Sequence, residues 1–167
     1  DGAIVSLVEC IPQIQLLLTA DHVMSAKNTM IHLPDHLATH GIKAQAVPII
    51  KDMYTVHHSN LGGCIYVYLD PDEVDRAVEE LKQMEGVEDA LTREQAAVRF
   101  KLMPERIGDV MVLGAPGVVF GNPNEVDLPP NLRTHASLHE DRVPVIGYGG
   151  TFDPNGFMGN VDLGRYV

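Results

Sequence analysis

The run Leu16-Leu17-Leu18, continuing into Thr19-Ala20-Asp21-His22, constrains this chain more than any other stretch. Consecutive leucines bounded by polar residues read as a short buried strand. The strand ends in two adjacent side chains of the kind that bind metals. In open α/β sheets, ligands collect just beyond the carboxyl ends of strands. An Asp-His pair placed there offers one hard oxygen and one imidazole nitrogen to a divalent cation such as zinc. On spacing alone, a strand that merely runs into a polar turn is the competing reading.

The rest of the chain reads as α/β with an insert. Ile4 to Ile11 is strand or helix end, and Pro12 separates it from the leucine run. Asp35 to His40 reads as a short helix stopped by Gly41. Ala44 to Ile50, Tyr54 to His58 and Cys64 to Leu69 look extended, the last two joined by Ser59-Asn60-Leu61-Gly62-Gly63. Asp70-Pro71 opens the clearest helix, with Val74, Ala77, Val78 and Leu81 at helical spacing and Gly86 as its stop. Val87 to Ala90 is a brief strand, and Thr92-Arg93-Glu94-Gln95 resembles a capping box. Asp109 to Leu113, Val118 to Phe120 and Val143 to Ile146 are further strand candidates, followed by a glycine-rich tail from Gly147. This order divides the chain into a core segment (1–43), an α+β cap subdomain (44–112) and a return to the core (113–167).

The net charge of −11, from 12 Lys and Arg against 23 Asp and Glu, argues against nucleic acid or an anionic membrane as partner. An anionic substrate meets the same average repulsion, which only a local cation such as bound zinc reverses. Cys10 and Cys64 are far apart and form no Cys-x-x-Cys pair, which points to a reducing, cytoplasmic setting. Cys64 reads as a small buried thiol. Glu9 and Pro12 interrupt the apolar N-terminal region, which has neither a signal-peptide pattern nor the length of a membrane span.

The remaining histidines carry less. His36 and His40 share a helix face at a spacing that serves zinc, but the HxxxH pattern arises easily by chance and surface roles fit better. His57 and His58 alternate across a strand, so only one faces a given pocket. His139 reads as a solvated loop residue beside Glu140 and Asp141, and His32 as an ordinary core side chain. There is no G-x-S-x-G elbow, Walker loop or Rossmann fingerprint.

Thr19-Ala20-Asp21-His22-Val23-Met24 resembles the Thr-Ala-Asp-His-Gly-Met motif of the alkaline phosphatase superfamily. Later segments narrow the resemblance to the phosphonoacetate hydrolases: Tyr54-Thr55-Val56-His57-His58 with Leu61-Gly62, Arg106-Ile107-Gly108-Asp109-Val110, Leu132-Arg133-Thr134-His135, and Val143-Pro144. It runs along most of the chain but corresponds to roughly the second half of a family member. It departs from the family at Val23 and Ala136, each standing where the family has glycine.

The resemblance implies part of an alkaline phosphatase-like core sheet with an inserted α+β cap. It also implies two zinc ions, with Asp21 and His22 as ligands of one and His135 of the other. The substrate implied is phosphonoacetate or a related small anion, cleaved at its carbon–phosphorus bond to acetate and phosphate. The family's nucleophilic threonine, its earlier aspartate and its Asp-x-x-x-His pair have no place in the 20 residues before Asp21. The expectation is therefore the C-terminal portion of a zinc-dependent phosphonoacetate hydrolase, inactive alone. The alternative is a catalytically dead truncated homologue serving as a structural or assembly subunit, with a protein partner or a second copy as its companion.

Overall fold

The computed structural model describes residues 2–50 and 58–165. It divides into two compact units, residues 24–140 and a smaller one made of residues 1–23 and 141–167. Residues 54–57 of the expected Tyr54–His58 strand lie outside the described residues, and His58 opens a 3₁₀ turn through Asn60.

The larger unit is built on a four-stranded antiparallel sheet. Its strands are β4 (Ala44–Pro48), β5 (Cys64–Leu69), β6 (Val87–Thr92) and β7 (Val110–Gly114), in the order β4-β5-β7-β6. β5 and β6 are joined through helix α3 (Val74–Gln83), with β7 inserted between them, a split βαβ arrangement. All five residues of β7 are buried, which is why its sequence, Val-Met-Val-Leu-Gly, is uninterruptedly apolar. Side chains alternate across the sheet. Val110 and Val112 join Ile65, Val67 and Ala90 in the main core, while Met111 and Leu113 join Cys64 and Leu91 in a second one. α3 covers the first face with Ala77, Val78 and Leu81. Helix α4 (Arg93–Phe100) covers the second through Ala96. Burial pushes the Cys64 thiol up to about 12, so it is chemically quiet at neutral pH.

The Arg106–Val110 segment explains itself structurally. A Cβ on Gly108 would lie 2.8 Å from Tyr66 Cβ and 2.9 Å from the Val67 carbonyl oxygen, so only glycine lets this chain enter the sheet. Asp109 accepts from the Leu69 amide at 3.0 Å and from Arg93 at 2.7 Å, tying β5, β7 and α4 at one corner.

Beside this sheet, helix α2 (Leu33–Thr39) seals the main core with Leu33 and Leu37. Strands β3 (Thr29–Ile31) and β8 (Val118–Phe120) form a parallel pair. β2 (Ser25–Ala26) pairs antiparallel with β9 (Arg133–Thr134). In the smaller unit, Gly2–Cys10 is helix α1, and β1 (Leu16–Leu18) pairs antiparallel with β10 (Ile146–Tyr148). The sequence places the last strand at Val143–Ile146, whereas the structure forms it at Ile146–Tyr148, across Gly147. Gly147 marks close approach, because a Cβ there would lie 2.4 Å from the Phe152 ring. Among the described residues no helix is long and apolar enough to cross a membrane.

Candidate functional site

Asp21 and His22 follow β1, whose leucines are half-buried against β10. The approach is held by Thr19, whose hydroxyl donates to the Pro144 carbonyl at 3.0 Å, and by Asn160, which donates to the Ala20 carbonyl at 3.2 Å. The Asp21 carboxylate is largely exposed, and His22 is about one-third exposed. The His22 amide donates to Asp21 Oδ1 at 3.0 Å, turning both side chains to one side.

His22 Nδ1 lies 3.0 Å from the Val23 carbonyl oxygen. A carbonyl only accepts, so Nδ1 carries the proton, and a neutral ring then keeps its lone pair on Nε2. That Nε2 lies 3.6 Å from Asp21 Oδ2. Both atoms are donors of the kind a divalent cation takes. A tetrahedral zinc with bonds of about 2.0–2.2 Å sets its ligand atoms about 3.4 Å apart. In donor chemistry and in spacing, the pair fits a metal. Among the described residues no group of three His, Cys, Asp or Glu side chains is arranged to hold one.

His135 lies in the larger unit, half-buried, directly after β9. Its neighbours hold it closely. The Thr134 hydroxyl, fully buried, donates to the Leu61 carbonyl at 2.9 Å. The Gly63 amide donates to the His135 carbonyl at 2.9 Å, and the Lys27 amide donates to that of Leu132 at 2.9 Å. A Cβ on Gly63 would lie 2.6 Å from Ser137 Cβ, so glycine is what lets the two segments touch. Ala136 takes φ +74°, the left-handed conformation that accounts for glycine at this position in the resembling family. Val23 is not among the residues with positive φ.

The cluster that sequence reasoning missed lies next to His135. Lys27 and Glu140 form an ion pair at 2.9 Å with both side chains essentially inaccessible. Glu140 Oε1 also accepts from the Ser25 hydroxyl, and Oε2 accepts from the Ser137 amide at 2.8 Å and hydroxyl at 2.6 Å. Burial raises the Glu140 pKa, but hydrogen bonds from Ser137, Ser25 and Lys27 outweigh it and hold the carboxyl down to about 2. Glu140 is therefore no solvated loop acid, and the partner of His139 is Glu88, at 2.5 Å. No local signal announces this cluster, since its two halves, Ser25 with Lys27 and Ser137 with Glu140, lie more than 100 residues apart in sequence.

His32, His36 and His40 take structural places. His40 Nε2 lies 3.3 Å from Glu80 and its Nδ1 3.1 Å from the His36 carbonyl, with the two rings 4.9 Å apart. His32 Nδ1 lies 2.8 Å from Asp35 Oδ2.

Residues 1–140 match the family model for type I phosphodiesterase / nucleotide pyrophosphatase. The chain belongs to this family. Phosphonoacetate hydrolase from Sinorhizobium meliloti 1021, solved with phosphonoformate and with phosphonoacetate, is similar at 31% identity and a TM-score of 0.74, over 88% of this chain and 38% of that one. Human ectonucleotide pyrophosphatase / phosphodiesterase 5 matches at 14% identity and TM-score 0.59, over 88% of this chain and 37% of its own. The murine protein matches at 15% and 0.60, over 92% and 39%. The two mammalian proteins share the fold. The chain thus spans well under half the length of these relatives, and its mixed α/β structure matches part of an alkaline phosphatase-like fold. The family is one of metal-dependent hydrolases, which gives the donor pair at Asp21 and His22 its chemical context.

Proposed function

We propose that this chain carries part of the bimetallic centre and the cap of a zinc-dependent hydrolase that splits the carbon–phosphorus bond of phosphonoacetate. The observation that carries this reading is the 31% identity to a phosphonoacetate hydrolase along 88% of the chain. In this reading Asp21 and His22 are ligands of one zinc and His135 of the other. Residues 1–43 and 113–167 are the core segments, and residues 44–112 form the inserted α+β cap. Two bound divalent ions lower the pKa of the attacking oxygen and neutralise the oxygens being displaced.

Asp21 offers a carboxylate oxygen, and His22 offers its Nε2 while Nδ1 is engaged by the Val23 carbonyl. The pairing of Ser25 with Thr134 ties β2 to the strand that ends one position before His135. With three of the ligands of a two-metal centre, the chain by itself is expected to bind zinc weakly and to release no phosphate from phosphonoacetate.

The test is zinc binding followed by competition with a chromophoric chelator, together with phosphate release. The double change Asp21→Ala/His22→Ala should weaken zinc binding by at least about tenfold, whereas His135→Ala alone should change it little. Unchanged zinc affinity in the double variant would overturn the ligand assignment. A second reading, a non-catalytic assembly subunit, has one observation in its favour: α1 is strongly apolar yet buries none of its residues. Stable association with an unrelated protein in the absence of zinc would favour it.

A further inference from the structure

We propose that Glu140, gripped by Lys27, Ser25 and Ser137, is a positioning residue that fixes the orientation in which His135 is presented. In naming His135 a metal ligand, the inference rests on the function proposed above; the clamp itself stands on geometry alone.

Lys27 lies one residue beyond β2, and Ser25 opens it; Glu140 and Ser137 lie on the loop that leaves β9. The carboxylate therefore holds that loop against the strand from which it departs. It accepts from four donors, saturating both oxygens. The Lys27 ammonium also reaches the Ser137 hydroxyl at 3.5 Å. One charge of each sign is thus buried with its hydrogen-bonding needs met inside the cluster.

Such a pair is a costly way to add stability, because desolvating two ions consumes most of what their attraction returns. Apolar side chains of similar volume would serve as well if cohesion were all that mattered. What the ions add is direction. Charged hydrogen bonds to Ser137 Oγ and N fix the loop two residues after His135, while Gly63 and Thr134 fix it on the other side. Between these anchors Ala136 is held at φ +74°, a conformation alanine adopts only under constraint. The backbone on both sides of the His135 Cα is consequently determined, and with it the direction of its Cα–Cβ bond.

The experiment compares the 167-residue chain with Lys27→Met/Glu140→Met, which replaces both ions by apolar side chains of similar size. The measurements are the urea midpoint, the long-range ¹H–¹⁵N spectrum of the His135 imidazole without metal, and its response to added Zn²⁺. The expected result is a folded variant with a similar midpoint in which the His135 ring signals move toward tautomeric and rotameric averaging. Any response of the ring to Zn²⁺ should move to higher metal concentration in the variant. An unchanged His135 spectrum in a folded double variant would overturn the proposal and leave the pair a packing element only.

Should the double variant not fold, Ser25→Ala removes one hydrogen bond to Glu140 and leaves the ion pair. It should shift the His135 signals in the same direction by a smaller amount, and unchanged signals there overturn the proposal equally. The metal-free spectrum decides the clamp whether or not the zinc assignment, tested by the Asp21→Ala/His22→Ala variant, holds.

Discussion

Ala136 shows how one torsion angle governs what a position tolerates. At φ +74° its Cβ crowds the neighbouring backbone. Its methyl group also packs against the second core. Ala136→Gly relieves the strain and gives up the contact and some restriction of the unfolded chain, with strain the larger effect. The expected outcome is a gain of about 0.5 kcal/mol in urea unfolding; a loss would mean that the methyl contact dominates. Gly63 is the converse case. An added Cβ meets the Ser137 Cβ at 2.6 Å and its backbone nitrogen at 3.0 Å, so Gly63→Ala should cost about 2 kcal/mol in the same assay. Glu140 sets the acid limit of stability. Its folded pKa of about 2 lies below the ordinary 4.5, so its contribution is complete above pH 4.5 and is lost as pH falls toward 2. A shift of this size is worth about 3 kcal/mol. Urea midpoints measured from pH 5 to pH 2 should fall steeply in the parent and less in Glu140→Gln. Identical slopes would show that the carboxylate is not held by its partners.

At the scale of elements, α4 is specified almost entirely by its first four residues. The Gln95 amide donates to Thr92 Oγ1 and the Thr92 amide to Gln95 Oε1, the reciprocal capping box. Thr92→Ala should destabilise the chain by about 1 kcal/mol, and Thr92→Ser by much less, when compared by thermal unfolding. This box, the α3 stripe and the apolar β7 are legible in the sequence because each depends on residues a few positions apart. α2 is legible too, though it starts at Leu33 rather than Asp35, since Pro34 suits a first helical turn. β10 is not legible in the same way. Its extent is fixed by pairing Leu16, Leu17 and Leu18 with Tyr148, Gly147 and Ile146, and no local pattern contains that register. The site divides along the same line. The Asp21-His22 motif is contiguous and can be read directly, whereas the cradle around His135 exists only once Lys27, Leu61, Gly63 and Glu140 are brought together. Glu140 in particular carries no mark distinguishing it from the solvated acids of α3.

Across the whole molecule, burial is distributed unevenly. Among the described residues every buried apolar side chain falls between Ile31 and Leu132, inside the unit of residues 24–140. Among the described residues of the smaller unit, only the side chain of Asp162 is buried, and its helix α1 exposes Val5 and Leu7. Since burial of apolar surface is the main favourable term in folding, residues 24–140 should unfold cooperatively when produced alone, at a urea midpoint close to that of the full chain. The exposed apolar side chains of α1, with Ile146 and Tyr148 of β10, should act differently. They add little to cohesion and favour contacts between molecules, opposed by the repulsion of a net charge of −11. That opposition gives the prediction a handle: self-association of the full chain should rise with salt as the repulsion is screened, and residues 24–140 should remain monomeric throughout. Sedimentation velocity at low and high salt separates the two contributions. Association that fell with added salt would point to ion pairing instead, and equal association of both forms would place the sticky surface within residues 24–140.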